Sequence, residues 1–296
     1  MLRMFCLALG LMTSFAHAQT VAVDSYTGSV DVAQSPETIA VLDLAAFDTL
    51  TALGVPVQGL IRPIFLPFLG QAASETTPIG SLFEPDFEAI FALNPDLIIA
   101  GGRSSGQVSE LERIAPTLDM TIWEDTVGQG LARLAAYGAI FDKQVEAKTL
   151  ATDFAEKLET TKAVVAGKGN ALIVMTNGPK VSAYGAGGRF GWLHDALDLP
   201  EAAPAVEQTT HGEAISFEYI REVDPDILLV IDRLAAVGQD GAHAQTTLDN
   251  ALVRETKAWK TGRVIYLSSA PIYIAGGGIQ SMSMTVDEIL AALRDE

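Results

Sequence analysis

The sequence predicts an α/β protein of two Rossmann-like lobes, each a central, mostly parallel sheet flanked by helices, joined by one long α-helix. Three observations carry this reading. Strand-like and helix-like segments alternate through both halves, the pattern of sheets covered on both faces. A seventeen-residue segment occurs twice without a gap, at 87–103 and at 217–233, with six identities: Phe87/Phe217, Glu88/Glu218, Ile90/Ile220, Pro95/Pro225, Asp96/Asp226 and Arg103/Arg233. Between the copies lies a proline-free window, residues 117–178, in which Leu131, Leu134, Phe141, Val145, Phe154 and Leu158 recur at roughly helical spacing.

Taken in order, residues 19–36 are small and polar and form an N-terminal arm. Residues 38–42 read as a strand. A helix follows over 43–53, with Leu44, Phe47 and Leu50 on one face and Gly54-Val55-Pro56 as its stop. Residues 57–61 form a second strand, and a proline-bearing loop over 62–80 leads into the first repeat copy. Each copy reads as a short helix, a proline break and a buried strand that ends on an arginine. A helical turn over 111–115 and a strand over 121–123 complete the first lobe. The linking helix is expected over 143–166, about 36 Å long at about 1.5 Å per residue. After Gly167-Lys168-Gly169 the pattern restarts with a strand over 171–175. The second copy, a helix over 248–259, a strand over 264–267 and a closing helix over 286–293 follow. The lobes are thus expected at 19–142 and 167–296, on either side of the linker.

Residues 1–18 read as a signal peptide: Arg3, an apolar run over 4–12, and Ala16-His17-Ala18 as an A-x-A cleavage site. Cleavage after Ala18 removes Cys6, the only cysteine, which is not set in a lipid-attachment context. No later stretch of about 20 residues is apolar throughout, so the expectation is an exported protein held in the periplasm. Composition supports a folded core, with 49% hydrophobic and 19% charged residues. The formal net charge of −18 excludes a nucleic-acid binder, whose footprint is a basic patch. An anionic ligand would need its positive charge supplied locally.

Arginines supply it. Arg103 and Arg233 end the two repeats at predicted strand edges, where open α/β sheets bind ligands. Arg189 sits in the glycine-dense loop Tyr184-Gly-Ala-Gly-Gly-Arg189-Phe-Gly191. Guanidinium forks suit planar anions because they give paired, charge-assisted hydrogen bonds. His211 and Tyr273 lie in predicted loops. Imidazole and phenolate both ligate Fe(III), but spacing alone makes neither a metal motif, and no Cys/His cluster, HExxH or EF-hand loop is present. The glycine runs fit neither a phosphate-binding loop nor a clean dinucleotide fingerprint, and there is no G-x-S-x-G elbow. Glu88 and Glu218 stand at equivalent points of the two repeats, a symmetric acidic pair that a symmetric basic partner could read.

These motifs together resemble the periplasmic binding proteins of iron–siderophore ABC importers, the class whose two lobes are joined by one long helix, and within it the ferric-catecholate subgroup. The carrying stretches are Gly101-Gly102-Arg103, the Arg189 loop, Thr210-His211-Gly212 through Ile220, Pro225 through Arg233, and the Tyr273 segment with Gly276-Gly277-Gly278. The resemblance covers residues 35–293. It implies a binding protein, not an enzyme, with no intrinsic cofactor and Fe(III) carried as a siderophore complex. Arg103, Arg189 and Arg233 would face the catecholate oxygens. His211 and Tyr273 would complete iron coordination. Glu88 and Glu218 would dock on the dimeric permease, and the protein would act as a monomer. Haem or a corrinoid is the alternative cargo on the same fold. The sequence departs from the subgroup at Arg62-Pro-Ile-Phe-Leu-Pro67, where a lysine-bearing stretch is more usual, and at Ile272-Tyr-Ile-Ala275.

Overall fold

A computed structural model describes residues 20–206 and 211–294 of the 296. The predicted signal peptide and its cleavage site lie outside the described residues. The chain opens on an antiparallel hairpin, β1 (Thr20–Ser25) and β2 (Gly28–Ala33). It is pinned to the first lobe by the Tyr26 N–H to the Asp119 carbonyl and by Arg133 to the Asp24 carbonyl.

The first lobe's sheet contains β3 (Ile39–Val41), β4 (Gly59–Leu60), β5 (Thr77–Pro78), β6 (Leu97–Ala100) and β7 (Thr117–Asp119), in the order β5-β4-β3-β6-β7, all parallel. Its flanking helices include α1 (Leu44–Ala52), capped by the Asp43 carboxylate, and α2 (Phe87–Leu93), capped by Asp86. The expected strand over 121–123 is not formed. The strand lies four residues earlier, at β7, and Trp123 is 57% exposed beyond the sheet edge.

Helix α3 (Thr126–Ile140) ends at Asp142, which adopts φ 56°, and α4 (Gln144–Val165) follows. The long helix expected over 143–166 is therefore present, about 33 Å long at about 1.5 Å per residue. Its buried residues Ala147, Phe154, Thr161 and Val165 form a seam seven and four residues apart, and charged residues fill the rest of its surface.

The second lobe's sheet contains β8 (Ala171–Asn177), β9 (Lys180–Tyr184), β10 (Glu213–Ile215), β11 (Ile227–Asp232) and β12 (Val264–Tyr266). The order is β10-β9-β8-β11-β12, with β8, β11 and β12 parallel and β9 and β10 antiparallel. Helices α5 (Trp192–Leu197), α6 (Phe217–Val223), α7 (Arg233–Ala236) and α8 (Ser269–Ile274) flank it. Both faces of β8 and β11 are covered: Ile173 and Leu229 face the core shared with the first lobe, and Leu172, Val174, Leu228 and Val230 face a second cluster. The single helix expected over 248–259 is broken into short pieces by caps at Asn250 and Thr256, whose side chains take backbone N–H groups.

The repeat has a structural cause. Each copy's helix ends on a left-handed residue, Asn94 or Asp224, and turns into Pro-Asp. The Asp96 carboxylate accepts the Glu37 and Thr38 N–H groups, and the Asp226 carboxylate accepts that of Asn170. Each aspartate therefore clamps the start of the neighbouring parallel strand, β3 or β8, and fixes its register against β6 or β11.

The closing helix is longer than expected, α9 (Ile279–Arg294), and it crosses back to the first half of the chain. Asp48 of α1, fully buried, accepts the N–H groups of Gln280 (2.8 Å) and Ser281 (2.9 Å) and the Ser281 hydroxyl (2.6 Å). A buried carboxylate at a helix N-terminus satisfies otherwise orphaned donors. The C-terminal segment, expected with the second lobe, is thereby fastened to the first.

Candidate functional site

In each lobe the strand order reverses beside the central pair, between β3 and β6 in the first and between β8 and β11 in the second. Such switch points open a crevice at the strands' C-terminal ends. Arg103 follows β6 at the first one. Gly101 lies so close to the α1 cap that a side chain would sit 3.2 Å from the Asp43 carboxyl carbon, and Gly102 has φ 53°. The Gly102 N–H donates to the Thr121 hydroxyl (2.8 Å), and Thr121 donates in turn to Asp119 (2.5 Å). The loop is thus fixed, while the arginine it carries is exposed. Among the described residues the Arg103 guanidinium has only aromatic contacts, 5.1 Å from the Phe83 ring centre and 5.9 Å from that of Tyr273. Its hydrogen-bond donors remain open to a ligand.

Arg233 opens α7, immediately after β11, at the second switch point, and its Nη1 lies 3.4 Å from the Asn177 side-chain oxygen at the end of β8. Arg189 comes from the glycine loop, which is held by tight turns (Gly188 N–H to Gly185 carbonyl, Gly191 N–H to Gly188 carbonyl). Its guanidinium donates to the Tyr273 carbonyl and stacks 4.3 Å from the Tyr273 ring centre. Tyr273 is buried on α8, a short helix rather than the expected loop. The helix forms because the Ser269–Ile274 segment packs against α7 and α9 instead of facing solvent.

Tyr273 and Tyr184 differ sharply although both lie beside Phe190 and Arg189. Burial pushes the Tyr184 phenol up to about 12, with Arg189 opposing. Burial also raises Tyr273, but the Arg189 guanidinium, a hydrogen bond from Arg233 and the charges of Arg233 and Arg103 outweigh it, and its phenol is held below the usual tyrosine value. Three guanidiniums from the two lobes therefore act on one phenol. Tyr184 instead anchors the neighbouring loop, donating to the His211 carbonyl at 3.0 Å.

These groups share one pocket. Arg189, Arg233, Tyr273 and His211 line it with Tyr184, Asn177, Ser182 and Lys180, and no carboxylate is among the lining residues. A pocket with three fixed cations sits in a chain of net charge −18. Lys180 is the cation that sequence reasoning missed. It follows the two-residue Gly178-Pro179 turn joining antiparallel β8 and β9, in which Asn177 pairs with Lys180 and Gly178 takes φ 59°, and a glycine opening a two-residue loop between two apolar runs is a hairpin signal. Phe83 was also missed, since one exposed phenylalanine in a loop carries no pattern.

Of the expected binding and iron-coordinating residues, Arg189, Arg233, His211 and Tyr273 line the pocket, and Arg103 stands beside it, 5.9 Å from the Tyr273 ring centre. Glu88 and Glu218 are not part of this pocket. Both are exposed in the first turns of α2 and α6, and Glu88 borders a shallow groove with Phe87, Phe91 and Ile114. Arg62, at the departure from the subgroup, turns away from ligand duty: its guanidinium donates to the Ile61 carbonyl (3.0 Å), the Thr76 hydroxyl (2.6 Å) and the Ala73 carbonyl, stapling its own loop. His194 is buried against the Leu199 carbonyl and His243 faces Asp232, so neither is offered to a metal. No cluster of three acidic, His or Cys side chains suited to a metal occurs among the described residues.

A family model of periplasmic binding proteins matches residues 39–271. The petrobactin-binding protein YclQ of Bacillus subtilis is 34% identical over 263 residues, 87% of this chain and 83% of YclQ. Its crystal structure matches with a TM-score of 0.88 over 94% of this chain and 100% of that one. The ferric-anguibactin-binding protein FatB of Vibrio anguillarum is 30% identical over 278 residues, 91% of this chain and 86% of FatB. The crystal structure of VctP, a periplasmic catecholate-siderophore binding protein from Vibrio cholerae, matches at a TM-score of 0.86 and 29% identity over 92% of this chain and 100% of VctP. A cationic crevice between two helix-linked lobes, with no nucleophile motif, is a site for holding a ligand, and the chain is a binding protein that belongs to the periplasmic binding protein family.

Proposed function

We propose that this chain captures a ferric siderophore of catecholate type in the inter-lobe cleft and hands it to the permease of an ABC importer. The observation that carries the reading is the convergence of three arginines about Tyr273: Arg103 and Arg189 lie 5.9 Å and 4.3 Å from its ring centre, and Arg233 lines the same pocket. A ferric tris-catecholate complex bears about three negative charges, and at an effective dielectric of about 20 a unit pair at about 4 Å is worth roughly 4 kcal/mol before desolvation. Arg103, Arg189 and Arg233 bind the catecholate oxygens in this reading. Tyr273, whose phenol the surrounding guanidiniums hold below the usual tyrosine value, and His211, exposed at the pocket rim, supply the iron's remaining donors when the chelate leaves positions open. Relatives whose names specify petrobactin, ferric anguibactin and catecholate siderophores support the cargo class. The polar pocket lining disfavours haem, whose macrocycle needs apolar walls.

Glu88 and Glu218 present equivalent carboxylates on the two lobes and dock the loaded monomer onto basic residues of a permease dimer. Residues 1–18 direct export to the periplasm, with cleavage after Ala18. No helix among the described residues is long and apolar enough to cross a membrane, which agrees with that location. Native mass spectrometry of the protein isolated from iron-starved cells tests the proposal. The expected result is an added mass equal to an iron–catecholate complex. Recovery of haem, or of an iron-free small molecule, overturns it.

A further inference from the structure

Phe83 stands out among the residues the fold does not use. Its ring is 63% exposed, yet the loop that carries it is firmly built. The Ser81 hydroxyl accepts the N–H groups of Phe83 (3.3 Å) and Glu84 (3.1 Å), and the Ser81 N–H donates to the Glu84 carbonyl (2.8 Å). Gly80, at φ 103°, has the backbone of 84–86 packed where a side chain would begin. A tight turn therefore presents a large apolar side chain to solvent, at a cost that burial elsewhere would have avoided.

The ring does not point at random. The Arg103 guanidinium lies against both the Phe83 and the Tyr273 ring, 5.1 Å and 5.9 Å from their centres. Phe83 is thus on the first lobe's side of the cationic cluster, and Tyr273 on the second's. A chelate whose oxygens reach Arg103 brings its carbon framework next to the Phe83 ring. Aromatic rings meet such a surface in offset or edge-on geometry with a gain beyond area burial, which an aliphatic chelate lacks.

We propose that Phe83 is a specificity-determining residue, an aromatic wall that contacts an aryl ring of the bound chelate and favours aryl over aliphatic iron chelates. This rests on the siderophore-binding reading above and adds to it a side chain and a selectivity. Phe83 also orients Arg103, a role that affects every anionic chelate alike, so the ratio of two affinities isolates the ring contact.

The test compares wild type, Phe83→Ala and Phe83→Trp in fluorescence titrations with two probes, ferric 2,3-dihydroxybenzoate and ferric citrate. The expected result is an approximately tenfold loss for the aryl probe in Phe83→Ala, equivalent to ~1.4 kcal/mol. Citrate binding changes less than twofold to threefold, and Phe83→Trp retains aryl binding. Equal losses for both probes, or no loss for either, overturn the inference while leaving the function intact. A wild type that ignores the aryl probe fails the functional reading itself. Because Phe83 is exposed, the variants keep their fold, which a melting curve verifies.

Discussion

The first lobe's sheet is parallel throughout and brings one cation, Arg103, beside the pocket, whereas the second lobe's sheet is mixed and that lobe lines the pocket with Lys180, Arg189 and Arg233. The shared repeat accounts for what the lobes have in common: a helix, a left-handed exit, an aspartate clamp and an arginine at the switch point. The antiparallel hairpin β8–β9 accounts for the difference, because it replaces a helical crossover with a strand whose side chains form a pocket wall. The repeat thus explains the shared scaffold, and the antiparallel edge of the second sheet explains where the charge is concentrated.

Removing Arg189 breaks this asymmetry most severely. Arg189 is partly buried, and stripping a desolvated partner from a charged ligand costs about 2–5 kcal/mol, so Arg189→Ala should weaken ferric-catecholate binding by about thirtyfold or more in a fluorescence titration. The link between the lobes is tested next. Burial pushes the Asp48 carboxyl up to about 6, with hydrogen bonds from Ser281 and Gln280 opposing. A raised folded-state value gives stability that is fully present below the unfolded value near 4 and lost as pH rises through about 6, on the order of 3 kcal/mol. Relative to Asp48→Asn, the wild type should therefore lose melting temperature between pH 4 and pH 7. Arg103 is exposed, and its pairing is worth about 1 kcal/mol. Arg103→Ala should accordingly weaken binding only about fivefold, and a loss as large as that of Arg189→Ala would put the two lobes on equal terms. The smallest effect is spectroscopic: an ultraviolet titration should show Tyr273 ionising below the usual tyrosine value and Tyr184 near 12, with Tyr273→Phe removing the lower step and, by taking away the neighbouring phenolate, easing Tyr184 downwards.

The two-lobe fold was legible because its signals are local and repeated. Buried strands such as Leu97–Ala100 and Ile227–Asp232 are continuous apolar runs, and each is preceded by Pro-Asp. The arginines were legible because the repeat places them at strand ends. Three features were not. The β10 strand is only three residues long and pairs antiparallel with β9 across an intervening helix, so its partner is decided by tertiary contacts. Tyr273 reads as a loop residue because Pro271 and the following glycines dominate the local pattern, yet packing against α7 and α9 makes that segment helical. Asp48 looks like an ordinary helix acid, and only the return of α9 to α1 gives its carboxylate three hydrogen bonds, from the Gln280 and Ser281 N–H groups and the Ser281 hydroxyl. Long-range closure of this kind leaves no periodicity in the sequence.

The central claim is that cations from both lobes capture an anionic iron chelate. Isothermal titration of ferric 2,3-dihydroxybenzoate into wild type and into the Arg103→Gln, Arg189→Gln, Arg233→Gln triple variant addresses it directly. The account predicts micromolar or tighter binding by the wild type and a loss of at least a thousandfold, on the order of 4 kcal/mol, in a triple variant that still folds. Affinities within threefold of each other would contradict it.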